Sequence, residues 1–274
     1  MSLTINNAPF GPRRAGSFNF DTGALKPHTL YMEESQKRVR AVFGGQTVAD
    51  SRRAALLHET AMLPVYYFPE EDLNSDLLRA SEHTTYCPFK GEASYRSVVV
   101  GEKVAENAVW SYPDPTRATF EPGMPPLTGY AAIYFGAMDH WYEEDEEIFV
   151  HPRDPYTRIE VLESSRHVRV SVAEETVART QRPKILYETG LPPRYYLPPE
   201  DVSTELLTES ETRTACPYKG EAAYYSVEAG GRRFEDAAFS YPDPKPEAQK
   251  VADHLCFLGE DVTVEVDGEI DPDQ

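Results

Sequence analysis

The sequence predicts a mainly β protein built from two tandem copies of one small domain. Residues 39–115 align with residues 168–244 at a constant shift of 129, and 37 of these 77 positions are identical. Each copy contains short alternating segments separated by Gly and Pro turns, a pattern typical of small antiparallel sheets. The length of 274 residues is sufficient for two such domains.

The repeat also predicts the domain boundaries. We expect an N-terminal arm at residues 1–27, a first domain at 28–150, a linker at 151–155 and a second domain at 156–274. The arm has no hydrophobic periodicity, and two prolines stiffen the linker. Beyond the Ser-Tyr-Pro-Asp-Pro segments the best match has a shift of 122, which predicts about seven extra residues in a loop near 121–126 of the first copy.

Three hairpins are expected in the first copy, at residues 38–49, 93–112 and 131–142. Their turns contain Gly44-Gly45, Gly101-Glu102 and Gly136, which supply the positive φ angles that tight turns need. One short helix per copy is predicted at residues 74–78 and 203–207. Many short strands with Pro and Gly turns indicate a small barrel or a folded sheet in each copy.

Composition excludes several classes of function. The chain has 27 Lys and Arg against 46 Asp and Glu, a net charge of −19. It therefore lacks the basic footprint of a nucleic-acid binder and the positive surface that docks on an anionic membrane. No run approaches the roughly 18 apolar residues of a membrane span, and three cysteines cannot form a disulfide framework. We expect a reduced cytoplasmic protein, monomeric or homodimeric, with no cofactor.

Three pairs of motifs carry a resemblance to a known family. They are Cys-Pro-Phe-Lys-Gly from Cys87 and Cys-Pro-Tyr-Lys-Gly from Cys216, Tyr-Tyr-x-Pro from Tyr66 and Tyr195, and Ser-Tyr-Pro-Asp-Pro from Ser111 and Ser240. Over residues 30–147 and 160–269 the chain resembles an uncharacterised bacterial family, domain of unknown function 427.

The resemblance implies a compact domain similar to the β-tent fold of methionine sulfoxide reductase B and of the thalidomide-binding domain of cereblon. It implies no established reaction, since a fold alone does not carry a function. Many β-tent domains hold a structural zinc through two Cys-x-x-Cys pairs, and this sequence contains no such pair. We therefore expect packing to brace the sheets without a zinc site.

The Cys-Pro-aromatic-Lys-Gly turn is the first candidate site. A thiol close to an ammonium group, as in Cys87 with Lys90, is a possible low-pKa nucleophile. The alternative is a small buried cysteine in a turn beside a solvated lysine. The two copies do not share a Cys–His pair, because His83 and His58 of the first copy correspond to Thr212 and Tyr187 in the second.

Aromatic residues with polar tips are the second candidate feature. They recur on matched strands of the two copies and could line a pocket that binds flat or cationic ligands, although ordinary core packing is the alternative. The predicted ligand-binding residues are Tyr66, Cys87, Phe89, Lys90, Tyr95, Trp110 and Tyr112 in the first copy and Tyr195, Cys216, Tyr218, Lys219, Tyr224, Phe239 and Tyr241 in the second.

The acidic run at residues 143–147 is interpreted as a solvated turn, because its counterpart at 265–269 contains a simple Asp-Gly turn. Asp114 and Asp243 are expected to cap turns between prolines. The leading functional hypothesis is a protein that binds an unidentified small molecule, with one pocket per domain. The alternatives are an enzyme that uses Cys or Lys of the same turn and a structural or interaction module.

Overall fold

Twenty-two β-strands carry the fold of the residues that the structure describes, 3–13, 16–19, 28–114 and 127–273. The coordinates are a computed structural model. They divide into two units, Ser2–Pro155 and Tyr156–Gln274. The predicted mainly β architecture in two tandem copies is confirmed, and every strand pair in the described residues is antiparallel apart from an isolated bridge.

The first unit contains two sheets. Its strands are β1 (Leu30–Glu34), β2 (Val39–Phe43), β3 (Gln46–Ser51), β4 (Ala55–Glu59), β5 (Val65–Pro69), β6 (Leu78–Cys87), β7 (Gly91–Val100), β8 (Lys103–Ser111), β9 (Tyr130–Ile133), β10 (His140–Glu143) and β11 (Glu146–Ile148). Seven strands form one sheet in the order β1-β4-β5-β9-β8-β7-β6, and the other four form a second sheet in the order β11-β10-β2-β3. Short 3-10 helices span Glu70–Asp72, Ser75–Leu77 and Phe135–Ala137.

The second unit repeats this plan. Its strands are β12 (Ile159–Glu163), β13 (Val168–Val172), β14 (Glu175–Thr180), β15 (Lys184–Glu188), β16 (Arg194–Tyr196), β17 (Leu207–Cys216), β18 (Gly220–Ala229), β19 (Arg232–Ser240), β20 (Cys256–Phe257), β21 (Val262–Val266) and β22 (Glu269–Ile270). The 3-10 helices are Pro199–Asp201, Thr204–Leu206 and Pro246–Val251. Sheets β12-β15-β16 and β17-β18-β19-β20 meet at a bridge between Leu197 and Leu255, which restores the seven-strand order of the first unit.

Alternation along the strands gives the seven-stranded sheet two buried faces. On β5, Tyr66 and Phe68 belong to the larger core cluster, which also includes Trp141 of the four-stranded sheet. Tyr67, the residue between them, belongs to a separate cluster that includes Trp110 on β8. Successive side chains of a strand point to opposite faces, so the Tyr-Tyr pair supplies one ring to each core.

One of the predicted hairpins is wrong. Residues 131–142 were expected to fold back on themselves, but β9 joins the seven-stranded sheet while β10 pairs with β2 in the other sheet. The 3-10 helix Phe135–Ala137 connects them. The pairing is decided by partners far away in sequence, which a local turn signal cannot reveal. The other two predicted hairpins and the short helices, as single 3-10 turns, are confirmed.

The register of the repeat beyond residue 115 also differs from the expected one. Trp110 pairs with Ala132, and its counterpart Phe239 pairs with Cys256. Ala132 therefore corresponds to Cys256 at a shift of 124, so the first copy carries five extra residues instead of about seven. The loop predicted near residues 121–126 lies outside the described residues.

Segments at both ends of the first domain pack against it. In the N-terminal arm, Thr4 is buried, and its hydroxyl donates to the carbonyl oxygen of Glu59 at 2.8 Å. Among the residues expected as a linker, His151 and Asp154 are buried as well. In the described part of the chain no helix has the length and apolar character needed to cross a bilayer.

We predict that Gly220→Ala lowers the free energy of unfolding by about 1–2 kcal/mol. Gly220 follows the Cys-Pro-Tyr-Lys turn with φ +100°, and an added Cβ would stand 3.1 Å from the carbonyl oxygen of Asp243. Gly231→Asn is the control. Gly231 has φ +72° with no heavy atom within 4 Å of an added Cβ, and Asn tolerates this conformation. Urea denaturation measures both variants, and equal losses would contradict the prediction.

Candidate functional site

A cavity of about 320 Å³ lies in the first unit, where the aromatic residues of several strands converge. Five of the seven residues predicted in this copy line it: Tyr66, Lys90, Tyr95, Trp110 and Tyr112. The strands explain the convergence, because β5, β9, β8 and β7 are consecutive neighbours in the seven-stranded sheet. Additional walls come from Leu57, Tyr67, Ile133, Phe135, Trp141 and the segment from Val150 to Pro152.

The aromatic walls pack against one another in T-shaped, tilted and stacked contacts. The rings of Tyr67 and Trp110 make a T-shaped contact with centroids 6.3 Å apart. Trp110 also packs at 4.4 Å against Tyr134, which follows β9. Such contacts hold large rings in fixed positions around the space, and this gives the cavity a defined shape.

A buried ion pair forms the polar end of the cavity. The Nζ of Lys90 contacts Oε2 of Glu59, and the exposed fractions of the two side chains are only 11% and 13%. The other carboxylate oxygen, Oε1, lies 2.9 Å from Nε2 of His28. Lys90 Nζ also lies over the ring of Tyr112, 5.9 Å from its centroid. Lys90 is therefore held by a carboxylate and an aromatic face.

The hydroxyl groups of the lining tyrosines are used in different ways. Tyr66 donates to Oε1 of Glu143 at 2.7 Å, and the hydroxyl of Tyr95 bonds with Oγ1 of Thr85 at 2.9 Å. Tyr112 is 6% exposed, and its hydroxyl forms no hydrogen bond with any residue that the structure describes. Tyr112 thus presents at the cavity wall a hydroxyl whose hydrogen-bonding capacity is not used by the described protein.

The mouth of the cavity has an apolar rim. Met62, Leu63, Tyr134 and Val150 all line the cavity, and between 42% and 55% of each residue is exposed. Large exposed apolar side chains grouped around a concave space are typical of a binding surface.

Two of the predicted residues of the first copy lie outside this lining. Phe89 stacks on the imidazole of His28, with ring centroids 3.6 Å apart and planes 4° from parallel. Cys87 is half-buried and packs against the cluster that contains Tyr67 and Trp110. In the described residues no hydrogen bond joins Cys87 or Cys216 to a histidine.

The second unit repeats the ion pair. Lys219 contacts Glu188, and Tyr224 bonds with Thr214 at 3.0 Å, as Tyr95 does with Thr85. Tyr196, Phe239 and Tyr241 pack together through T-shaped ring contacts. The remaining predicted residues of this copy are placed as follows: Tyr195 in the larger core cluster, Tyr218 buried in the turn, and Cys216 half-buried before it.

The surroundings of these residues differ between the copies. Cys256 stands where the first copy has Ala132, and burial raises the pKa of its thiol to about 12. Cys256 packs with Ala248 and Val251 of the 3-10 helix in a closed apolar cluster. Two open cavities of about 960 and 490 Å³ in this unit are lined by other residues and by none of the seven predicted there.

Sequence reasoning missed the carboxylate partners of both lysines. Glu59 and Glu188 occupy equivalent positions of the repeat and are identical, as Lys90 and Lys219 are. A search of the identical pairs for opposite charges would have nominated them, although their proximity in space depends on the sheet pairing. Glu143, at the start of the acidic run that was interpreted as a solvated turn, is buried and contacts Tyr66 and Lys37.

The hydroxyls of Tyr66 and its counterpart Tyr195 donate to carboxylates at non-equivalent positions of the two copies. Tyr66 donates to Glu143, the last residue of β10, whereas Tyr195 donates to Asp271, just beyond β22, at 3.1 Å. Glu143 pairs with Val39, and Val266 pairs with the equivalent Val168, so Glu143 corresponds to Val266. Asp271 is therefore a replacement carboxylate from another point of the chain.

The residues described contain no group of three or more His, Cys, Asp or Glu side chains arranged to hold a metal ion.

Burial shifts the titration of several tyrosines in the same direction. It raises the pKa of Tyr67 and Tyr112 in the first unit and of Tyr196 and Tyr241 in the second well above the usual value. For Tyr195, burial together with the hydrogen bond to Asp271 raises the pKa to about 12. All these phenols are therefore neutral near pH 7 and can donate hydrogen bonds.

We predict that the protein loses stability steeply above pH 10. The unfolded state releases tyrosine protons at about pH 10, whereas the folded state retains them, so the stabilisation is complete below pH 10 and is lost as the pH rises toward 12. Tyr67→Phe should reduce the slope of the free energy of unfolding against pH by about 1.4 kcal/mol per pH unit. Urea titrations at each pH measure this slope. Stability that is constant up to pH 12, or a slope that is unchanged in Tyr67→Phe, would contradict it.

Comparison with known proteins assigns a family to both units. The model of a family described as a domain of unknown function, DUF427, matches residues 31–144 and again residues 160–268. A comparison with curated proteins finds no match. The two matches together cover well over half of the chain. The chain belongs to the DUF427 family, and it carries two tandem copies of that domain.

Proposed function

We propose that the protein binds one small, flat and largely apolar molecule in the cavity of the first unit. The observation that carries the proposal is an aromatic-lined space of about 320 Å³ with a buried Lys90–Glu59 pair at one end. Voids larger than a water molecule are uncommon in folded cores, whereas ligand pockets begin at roughly 300 Å³. The aromatic lining around a space of this size therefore favours a ligand site.

The lining indicates the shape of the ligand. Tyr67, Tyr95 and Trp110 present rings on neighbouring strands, and rings held in this way bind flat molecules by stacking and edge contacts. Burial of apolar ligand surface contributes about 25 cal/mol per Å², so a molecule of one or two rings gains several kcal/mol from contact with these walls. The rim formed by Met62, Leu63 and Val150 extends the apolar surface to the mouth.

The charges of the lining argue against a strongly charged ligand. Lys90 and Glu59 neutralise each other, and the surrounding tyrosines are neutral. A ligand that carries several charges would lose its hydration on entry without enough counter-charge, which is costly in an apolar space. The proposal is confined to the first unit, since Tyr196 and Tyr241 of the second pack in one apolar cluster with Cys256.

The proposal predicts that toluene and indole, used as probes, bind with one site per chain and that Val65→Trp abolishes this binding. Val65 opens β5 and lines the cavity, so a larger ring at this position fills the space. We expect the affinity for both probes to fall at least about tenfold, equivalent to 1.4 kcal/mol. Ligand-observed NMR and isothermal calorimetry measure the affinity and the number of sites.

Arg194→Trp is the matched control, because Arg194 is the counterpart of Val65 at the start of β16. It places the same ring at the equivalent position of the second unit and should leave probe binding unchanged. Thermal unfolding of both variants verifies that they fold. Probe binding that survives Val65→Trp, or that is lost in Arg194→Trp, would place the ligand elsewhere and refute the proposal.

A further inference from the structure

At the polar end of the first-unit cavity, some hydrogen-bond donors have a partner in the protein and others do not. Lys90 has three N–H donors and gives one of them to Glu59. Tyr112, next to the ammonium group, has a hydroxyl with no hydrogen-bond partner in the described residues. Two kinds of donor therefore stand beside an apolar space that the protein itself does not fill.

The carboxylate at this end of the cavity is already engaged at both of its oxygens. Glu59 uses one carboxylate oxygen for Lys90 and the other for Nε2 of His28. The hydroxyls of Tyr66 and Tyr95 are committed to Glu143 and Thr85. A ligand that brought only donors would compete with Lys90 and His28 for the same carboxylate, whereas a ligand that brings an acceptor meets donors that are unused.

We propose that this cavity selects flat molecules whose polar end is a hydrogen-bond acceptor, a carbonyl or carboxylate oxygen that Lys90 and Tyr112 receive together. The inference rests on the function proposed above and adds the chemical class of the ligand. An apolar ligand that displaces water from Lys90 and Tyr112 leaves their donors unpaired, whereas an acceptor oxygen on the ligand avoids this cost. The polar end thus sets specificity, while the aromatic walls provide apolar contact.

The choice of acceptor follows from geometry and charge. The ammonium group of Lys90 lies over the ring of Tyr112, 5.9 Å from its centroid, so the two donors stand at the same end of the cavity. A carboxylate adds charge-assisted hydrogen bonds, which are about twice as strong as neutral ones. A carbonyl avoids the cost of desolvating a second anion close to Glu59. Both belong to the proposed class, and a cation does not.

Four probes of similar size test the class: benzamide and benzoate carry an acceptor, toluene carries no polar group, and benzylammonium carries donors only. We expect benzamide or benzoate to bind at least about tenfold more tightly than toluene, and benzylammonium to bind no more tightly than toluene. Ligand-observed NMR on the full-length chain gives the four affinities. A preference for benzylammonium, or equal affinity for all four probes, would overturn the inference.

Tyr112→Phe separates the hydrogen bond from the apolar contact. It keeps the ring and removes a hydroxyl that has no described partner, so folding should be unimpaired. We expect the better acceptor probe to lose about fivefold to tenfold in affinity, while toluene binds as before. Tyr241→Phe, at the equivalent position of the second unit, should change neither affinity. Unchanged affinity of the acceptor probe in Tyr112→Phe would overturn the role of this residue.

The same measurements distinguish failure of this inference from failure of the proposed function. In one outcome toluene binds as tightly as the acceptor probes, and Val65→Trp abolishes its binding. The cavity is then a ligand site, but the acceptor class is refuted. Absence of binding by all four probes refutes both.

Discussion

The seven-stranded sheet of each DUF427 domain must bury both of its faces, and most of the structure follows from this requirement. In the first unit a four-stranded sheet contributes to one core, where Tyr66 and Phe68 meet Trp141. Among the described residues no second sheet covers the opposite face, and its cluster includes Leu127, with Cys87 of the turn packed against it. Tyr67, Trp110 and Tyr112 of this cluster also line the cavity.

The lysine of the Cys-Pro-aromatic-Lys-Gly turn stabilises the packing on this face of the sheet and also brings a charge into it. Lys90 and Lys219 each meet a glutamate from a strand 31 residues earlier in the chain, and all four side chains are largely buried. Removing one partner of such a pair typically costs about 3–5 kcal/mol, so the pair ties the turn to the sheet. In the first unit His28 shares the carboxylate and stacks on Phe89, which connects the residues before β1 to the same turn.

Local patterns in the sequence predicted much of this fold. The constant shift of the repeat gave the tandem architecture, and Gly44-Gly45 and Gly101-Glu102 marked real hairpin turns. The pairing of β9 and β10 with distant strands could not be predicted, because hydrogen bonding across a sheet is not recorded in neighbouring residues. At the site, the aromatic residues were evident from alternation on matched strands, whereas Glu59 became evident only through its position opposite Lys90 in the folded chain.

The different carboxylates that serve Tyr66 and Tyr195 limit how freely the two copies can exchange parts. Each tyrosine hydroxyl keeps a carboxylate partner, but Glu143 ends one strand of its hairpin and Asp271 follows the other. A C-terminal hairpin transplanted from the second copy into the first would bring Val266 to the place of Glu143, and it would leave Lys37 without its ion-pair partner. Since the duplication, each domain has thus become matched to its own closing hairpin, and a working chimera has to carry the tyrosine's partner along with the strand.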